Sequence, residues 1–316
     1  MLAGSVHVVI VNWNAGPLLK DCLSSFDAVA ADAVRIERIT VVDNASSDGS
    51  ADAAAALADR LPVRVIRNTR NVGFAAACNQ GAAGAQADFL LFLNPDTMLE
   101  PGCLEGPARF LADPARRAVG IVGVQLIDAA GTLTRSCARR SGAAAMIGQS
   151  LGLDRLMPSL CRAHFLADWP HDETREVDQV SGAFLFVRRS TFEALGGFDT
   201  RFFVYFEDLD LALRARALGQ SSVYLATAQV LHRGGGTTHA IKARRQFYLA
   251  RSRIQFAFKH FRFASALAVA AATLVLEPIC RLLAAMTSGE RGGTSDVLRG
   301  SAMLWADLPN IMRSGG

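Results

Sequence analysis

The chain has 316 residues, 51% hydrophobic and 20% charged, with 33 Lys and Arg against 29 Asp and Glu for a net charge of +4. That length and apolar content support a sizeable core without disulfide or metal staples. The six cysteines (Cys22, Cys78, Cys103, Cys137, Cys161, Cys280) form no C-x-x-C pair, which excludes a small disulfide framework and suits reduced thiols.

The sequence opens directly on "VHVVIVNWN", with no basic leader or small-residue cleavage site, so a cytoplasmic location is expected. Apolar runs rich in Val and Ile recur at residues 6–11, 39–43, 63–68 and 89–94. They are too continuous for half-exposed strands and predict a parallel sheet covered on both faces. Between them, Pro17 to Ala30 places Leu18, Leu19, Cys22, Leu23 and Phe26 on one side, and residues 49–60 are rich in strong helix formers. Such crossovers require parallel, right-handed connections.

Polar residues collect where these runs end: Asn12 and Asn14, Asp43 and Asn44, Asn71, then Asn94 and Asp96. Open α/β sheets bind ligands outside the carboxyl ends of their strands, so the alignment predicts a crevice. A fifth strand at 118–126 precedes a less regular stretch, 128–178, expected to hold loops and short helices. Then come a strand at 182–189, a helix-like 190–199, a polar cluster at 205–219 and a strand at 222–233.

Beyond three glycines, Gly234 to Gly236, the character changes. From Arg233 onward there are twelve Lys and Arg and four Asp and Glu, so this last part carries +8 and residues 1–232 carry −4. Residues 242–263 hold seven basic residues and no acid, interleaved with Phe247, Tyr248, Phe256, Phe258, Phe261 and Phe263. The apolar piece that follows, 264–276, falls short of the roughly 20 residues that span a bilayer, and Glu277 with Pro278 is expected to end it. The tail either meets an anionic membrane surface or packs on the main domain with its arginines solvated. A domain boundary near 240 follows, with residues 1–240 before it and a helical 241–316 after it; no nucleic-acid partner is expected.

Several stretches can carry chemistry. In "VVDNASSDGS" the residues Ser46, Ser47, Asp48 and Ser50 compete to cap a helix. Asp43 there can also accept a hydrogen bond from an imide N–H, which uracil and thymine possess. In "NTRNVGFAAACNQG", Gly73 supplies an unusual backbone conformation and Asn71 and Asn79 hold the loop or a ligand. "NPD" initiates a turn, and Asp96 sits where a hard divalent ion can be held by one or two carboxylates plus substrate phosphates. Glu207, Asp208 and Asp210 suit a helix N-terminus, with Asp210 and Arg214 spaced to pair. A carboxylate among them facing a cleft can also take a proton from a hydroxyl. His232 is a candidate metal ligand and Arg233 a candidate phosphate partner beside a glycine-rich loop.

In this order, "VNWN", "VVDNASSDGS", "RNVGFAAACNQG", "LNPD", "GAFLFVRRSTFEALGGFD", "FFVYFEDLDLALR" and "LHRGGG" resemble the family 2 glycosyltransferases of the GT-A fold, over about residues 5–240. The resemblance implies a Rossmann-like α/β fold, a mostly parallel sheet flanked by helices, here with a C-terminal helical basic and apolar extension. It implies an inverting transferase in which Asp208, with Glu207 beside it, is the catalytic base. Asp96 and His232 would bind Mg²⁺ or Mn²⁺, and Asn12, Asn14, Asp43, Asn71, Gly73, Asn79, Asn94 and Arg233 would line the nucleotide. Asn94 stands where many members have a first Asp. The Asn-Pro-Asp form is similar to that of bacterial rhamnosyltransferases that use TDP-L-rhamnose. The basic, aromatic tail beside such a domain suggests a glycan or lipid-linked glycan acceptor at the inner face of the membrane, as in bacterial surface polysaccharide assembly, with acceptor specificity expected in 128–178 and the tail. Another TDP- or UDP-sugar (GlcNAc, galactose, galactofuranose) and a non-catalytic glycan-binding relative are the alternatives. "VNWNAGPLLKD" lacks the basic glycine-rich loop of a sugar nucleotidyltransferase and the G-x-G-x-x-G of a dehydrogenase.

Overall fold

The computed structural model describes residues 3–157, 159, 161, 164–166, 168–234, 241–288 and 293–314. The chain divides into two compact units, one of residues 1–139, 165–200 and 207–237, the other of residues 140–164, 201–206 and 238–316. In chain order the elements are β1 (Ser5–Asn12), α1 (Pro17–Ser24), β2 (Arg35–Asp43), α2 (Ser50–Ala55), β3 (Val63–Arg67), α3 (Phe74–Ala82), β4 (Phe89–Leu93), β5 (Thr97–Leu99) and α4 (Glu105–Ala112). Then come β6 (Val119–Ile127), β7 (Leu133–Thr134), β8 (Cys137–Ala138), α5 (Ala143–Ser150), α6 (Leu153–Leu156), β9 (Arg175–Val177), β10 (Gln179–Val180), β11 (Phe184–Arg188) and α7 (Arg189–Ala194). Last are α8 (Glu207–Ala217), β12 (Ser221–His232), α9 (Lys242–His260), α10 (Phe263–Ala271), α11 (Glu277–Ser288) and α12 (Gly293–Ser314).

The first unit is built on one sheet of order β3-β2-β1-β4-β11-β6-β12-β5, with β7 added on β6 and β9 on β12. The strands β3, β2, β1 and β4 are parallel, as their Val- and Ile-rich runs require. Every residue of β1 and β4 is buried, because helices cover both faces. Leu19, Leu23 and Phe26 pack with Val6, Val8 and Ile10 on one side; Ala75 and Cys78 of α3 pack with Val9, Val42 and Phe92 on the other. The cysteines Cys22, Cys78, Cys103, Cys137 and Cys161 are free and buried, small core residues as expected.

The sheet is also parallel between β6 and β12, while β11 runs antiparallel to both β4 and β6 and β5 runs antiparallel to β12. A strand buried on both faces reads the same in either direction, so composition could not tell them apart. β3 is a half-exposed edge strand on which Arg64 and Arg67 are exposed, charges that blunt a sheet edge. The helix expected over 17–30 stops at Ser24 and tightens into a 3₁₀ turn over Ser25–Val29, and that expected over 49–60 is regular only to Ala55. Residues 128–178 hold the short strands and helices β7 to β9, α5 and α6.

The second unit is helical. Ala250 and Ile254 of α9, Ala270 of α10, and Leu304 and Ile311 of α12 form its apolar core. An ion pair between Arg251 and Asp307 (2.6 Å) ties α9 to α12, and Arg253 of α9 pairs with buried Glu277 of α11. Glu277 and Pro278 do not end the apolar helix. A π-helical turn over Ala272–Leu276 carries α10 into α11, giving one helix from Phe263 to Thr287. The wider turn accommodates the missing N–H and the ring of Pro278, which would clash in a regular helix.

Candidate active site

The carboxyl ends of β1 and β2 lie side by side, with Asn12 in register with Asp43. There the Asn12 amide nitrogen lies 2.7 Å from Asp43 Oδ1, 2.8 Å from Ser50 Oγ and 3.1 Å from Ser46 Oγ. Asp43, 4% exposed, also accepts from the Ser46 backbone N–H (3.2 Å). Asn12 Oδ1 is buried and has no hydrogen-bond partner among the described residues. Asn14 holds φ +51, accepts from the Ser47 N–H through Oδ1 (2.8 Å) and donates its own N–H to Ser46 Oγ (2.9 Å). Asp48 accepts from the Gly16 N–H (2.7 Å). The turns after β1 and β2 are thus laced into one rigid rim, with acceptor oxygens at its base.

Asn71 Oδ1 accepts from the Gly73 N–H (2.9 Å). Gly73 sits at φ 90, ψ 168, a region open to glycine alone, and starts α3. Asn44 donates to the Gly73 carbonyl (3.2 Å), so this loop joins the rim. Asn79 stands elsewhere: its amide donates to the Phe198 carbonyl (2.8 Å) and accepts from the Phe198 N–H (2.9 Å). A Cβ on Gly197 would meet Asn79 Oδ1 at 2.6 Å. Asn79 is committed to that turn.

The run "FLLFLNPD" turns out of β4 at Asn94, whose N–H donates to the Ala183 carbonyl (3.0 Å). After the turn, the three residues of β5 pair with the far end of β12, setting Thr97 opposite His232. The Arg233 N–H donates to the Asp96 carbonyl (3.1 Å). A register shift between Leu225 and Gln229 bends β12 before this contact. The result brings His232 Nε2 to 3.3 Å from Asp96 Oδ1, with Asp96 8% exposed. Arg233 lies on the rim, paired with Asp21 (3.0 Å) and half in solvent. Of the glycine-rich loop, Gly235 and Gly236 lie outside the described residues. The described residues contain no group of three or more His, Cys, Asp or Glu that could hold a metal. Asp96 and His232 offer one carboxylate and one imidazole, a donor set that fits a hard divalent cation only when a ligand's phosphate oxygens complete it.

Residues Gly182 and Ala183 connect this turn to the acids. The Gly182 N–H donates to Asp208 Oδ2 (3.2 Å) while the next carbonyl holds Asn94. Reading 182–189 as a strand missed this bridge; its only signal was the Gly ahead of the apolar run. The three acids of α8 divide their roles. Asp210 is fully buried against Arg214 (2.7 Å), and Arg214 donates to the carbonyls of Leu195 and Gly197 (2.8 and 2.9 Å). Asp208 is half-buried. Glu207 is buried, and its Oε2 has no hydrogen-bond partner among the described residues. Burial first, then the charge of Asp208, push its carboxyl well above the usual carboxylate range. Just ahead of them Tyr205 and Phe206 hold φ +69 and +70, conformations that cost a non-glycine residue energy.

Residues 7–140 match the glycosyl transferase family 2 profile and residues 89–291 the glycosyl transferase family group 2 profile. The chain is 31% identical over 262 residues to the N-acetylglucosaminyl-diphospho-decaprenol L-rhamnosyltransferase of Mycobacterium tuberculosis (strain H37Rv), covering 73% of this chain and 76% of that protein. Among solved structures it is similar to mannosyltransferase PcManGT from Pyrobaculum calidifontis in complex with GDP-Man and Mn²⁺ (TM-score 0.55, 19% identity, 99% of this chain and 86% of that one). It is also similar to S. aureus TarS 1-349 in complex with UDP-GlcNAc (TM-score 0.55, 13% identity, 99% and 82%).

Proposed function

Because the chain belongs to glycosyl transferase family 2 and is a glycosyltransferase, we propose that it moves L-rhamnose from TDP-L-rhamnose to a hydroxyl of a lipid-linked glycan in cell-surface polysaccharide assembly. The observation that carries this is the link Asp208–Gly182–Ala183–Asn94, which sets a half-buried carboxylate beside the turn that presents Asp96 to His232. An acid and a candidate diphosphate site so joined suit direct displacement at an anomeric carbon.

In that reaction the Asp208 carboxylate takes the proton of the acceptor hydroxyl, whose oxygen attacks the anomeric carbon as the bond to the diphosphate oxygen breaks on the opposite face. The sugar inverts. Asp96 and His232 would hold Mg²⁺ or Mn²⁺, which when bound offsets the charge of the departing diphosphate. Arg233 can exchange its solvent-exposed partner Asp21 for phosphate oxygen. The Asp43 and Asn12 acceptors suit the imide N–H of thymine or uracil. Asn14, Asn71 and Gly73 shape the rim around the nucleotide, and Asn79 supports the turn behind it.

The rhamnose donor and the diphospholipid acceptor are supported by the Mycobacterium relative's name and by Asn94. An amide adds no charge to the cation site and gives up the carboxylate that could accept from a ribose 2′-OH, which a deoxyribose lacks. The +8 tail supports a place at the inner face of the cell membrane, where such acceptors are presented. Binding of TDP-L-rhamnose and a panel of UDP-sugars, with and without Mn²⁺, tests the donor. The wild type is expected to favour the TDP-sugar and Asn94→Asp to narrow that preference; an unchanged ratio would remove the role given to Asn94.

A further inference from the structure

The helix from Phe263 to Thr287 leaves one long face uncovered. Phe263 (71%), Leu267 (53%), Val275 (48%), Ile279 (51%), Leu283 (59%) and Met286 (72%) are exposed, at spacings of three to eight residues that place them along one side of a helix about 36 Å long. On α12, Leu298, Trp305 and Met312, each more than half exposed, recur every seven residues. Patches of this size on a soluble surface mark a binding site.

The charges around this face say what covers it. In the helical unit Lys242, Arg244, Arg245, Arg262, Arg299 and Arg313 are exposed. Its described acids are buried or half-buried: Asp154, Glu277, Asp296 and Asp307. An apolar face on a unit with exposed cations and, among the described residues, no exposed carboxylate matches an anionic bilayer surface.

Length alone would let this helix cross a membrane, but its inner face forbids it. Thr273 and Glu277 lie there, buried, and Arg253 of α9 is bonded to both. Only Phe261 and Arg262 separate α9 from α10, so the two helices form a tight hairpin. A crossing would carry Glu277, about 21 Å along the helix, into the hydrocarbon, and the basic α9 with it.

We infer that the helix 263–287 lies in the plane of an anionic bilayer, its apolar face seated in the lipid and its Glu277 face on α9. This deepens the membrane contact proposed above and is independent of donor and acceptor. The test floats the full chain with phosphatidylglycerol–phosphatidylcholine vesicles. Binding is expected, and to fall at least about tenfold on phosphatidylcholine alone and at least about tenfold for Leu267→Glu or Leu283→Glu. Both positions are exposed, and unchanged thermal melting and nucleotide-sugar binding would show that the variants are folded. Alkaline carbonate is expected to strip the bound chain from the vesicles. Retention after carbonate would mean a crossing helix and would overturn the inference. So would undiminished vesicle binding by the folded variants, or a dimer broken by them in a chain that ignores vesicles. If nucleotide-sugar binding fails while vesicle binding behaves as stated, the donor reading fails and this one stands.

Discussion

Asp208 and Glu207 are neighbours in sequence with opposite surroundings. Asp208 is held by the Gly182 N–H and remains half-buried, whereas Glu207 is sealed off with an oxygen unpartnered among the described residues. Asp208→Asn should lower transfer by about 10²- to 10⁴-fold, the usual worth of a general base, while nucleotide binding measured by calorimetry stays within twofold; retained turnover would remove Asp208 as the base. Glu207 should show itself in stability. Its carboxyl holds its proton more tightly folded than unfolded, so its contribution is fully present below the unfolded value of 4.5 and is lost as pH rises through the folded one. Glu207→Gln keeps the neutral form at every pH. The melting-temperature difference between variant and wild type should therefore move in the variant's favour as pH rises from 4.5, and a constant difference would contradict the assignment.

The elements show why some of this was legible in the sequence. Continuous Val and Ile runs announce buried strands, and the polar residues that stop them mark one edge of the sheet. Asn12, Asp43, Asn71 and Asp96 could therefore be picked out by position alone. The partner strand of β5 could not: three residues, Thr97–Leu99, carry no periodic signal, and they pair with the end of a strand more than 130 residues later. Only that ladder sets His232 against Asp96. Asn79 shows the same limit from the other side, for an Asn in a glycine-rich loop looks alike whether it meets a ligand or a distant backbone. It clamps Phe198, as Arg214 clamps Leu195 and Gly197. Asn79→Ala should destabilise the chain by about 1–3 kcal/mol through the unpaired Phe198 groups, read by urea unfolding; a loss of nucleotide affinity at unchanged stability would instead return Asn79 to the binding site. Pro278 misled in a third way, because a π-helical turn absorbs what would otherwise end a helix.

At the scale of the whole molecule, chemistry and charge are divided between two units. The sheet-based unit carries the acids of α8, the Asp96–His232 pair and the rim around Asn12 and Asp43. The helical unit carries the apolar face, with exposed cations and no exposed acid among its described residues, a division that suits the proposed transfer from a soluble donor to a lipid-linked acceptor. The central claim is transfer itself. It is tested most directly by incubating the full chain with TDP-L-rhamnose, Mn²⁺ and N-acetylglucosaminyl-diphospho-polyprenol, and following the lipid product by mass spectrometry and its anomeric configuration by NMR. The account predicts a product heavier by one deoxyhexose, inverted at the anomeric carbon and absent with Asp208→Asn. A product of retained configuration, or an equal yield from the variant, would contradict it.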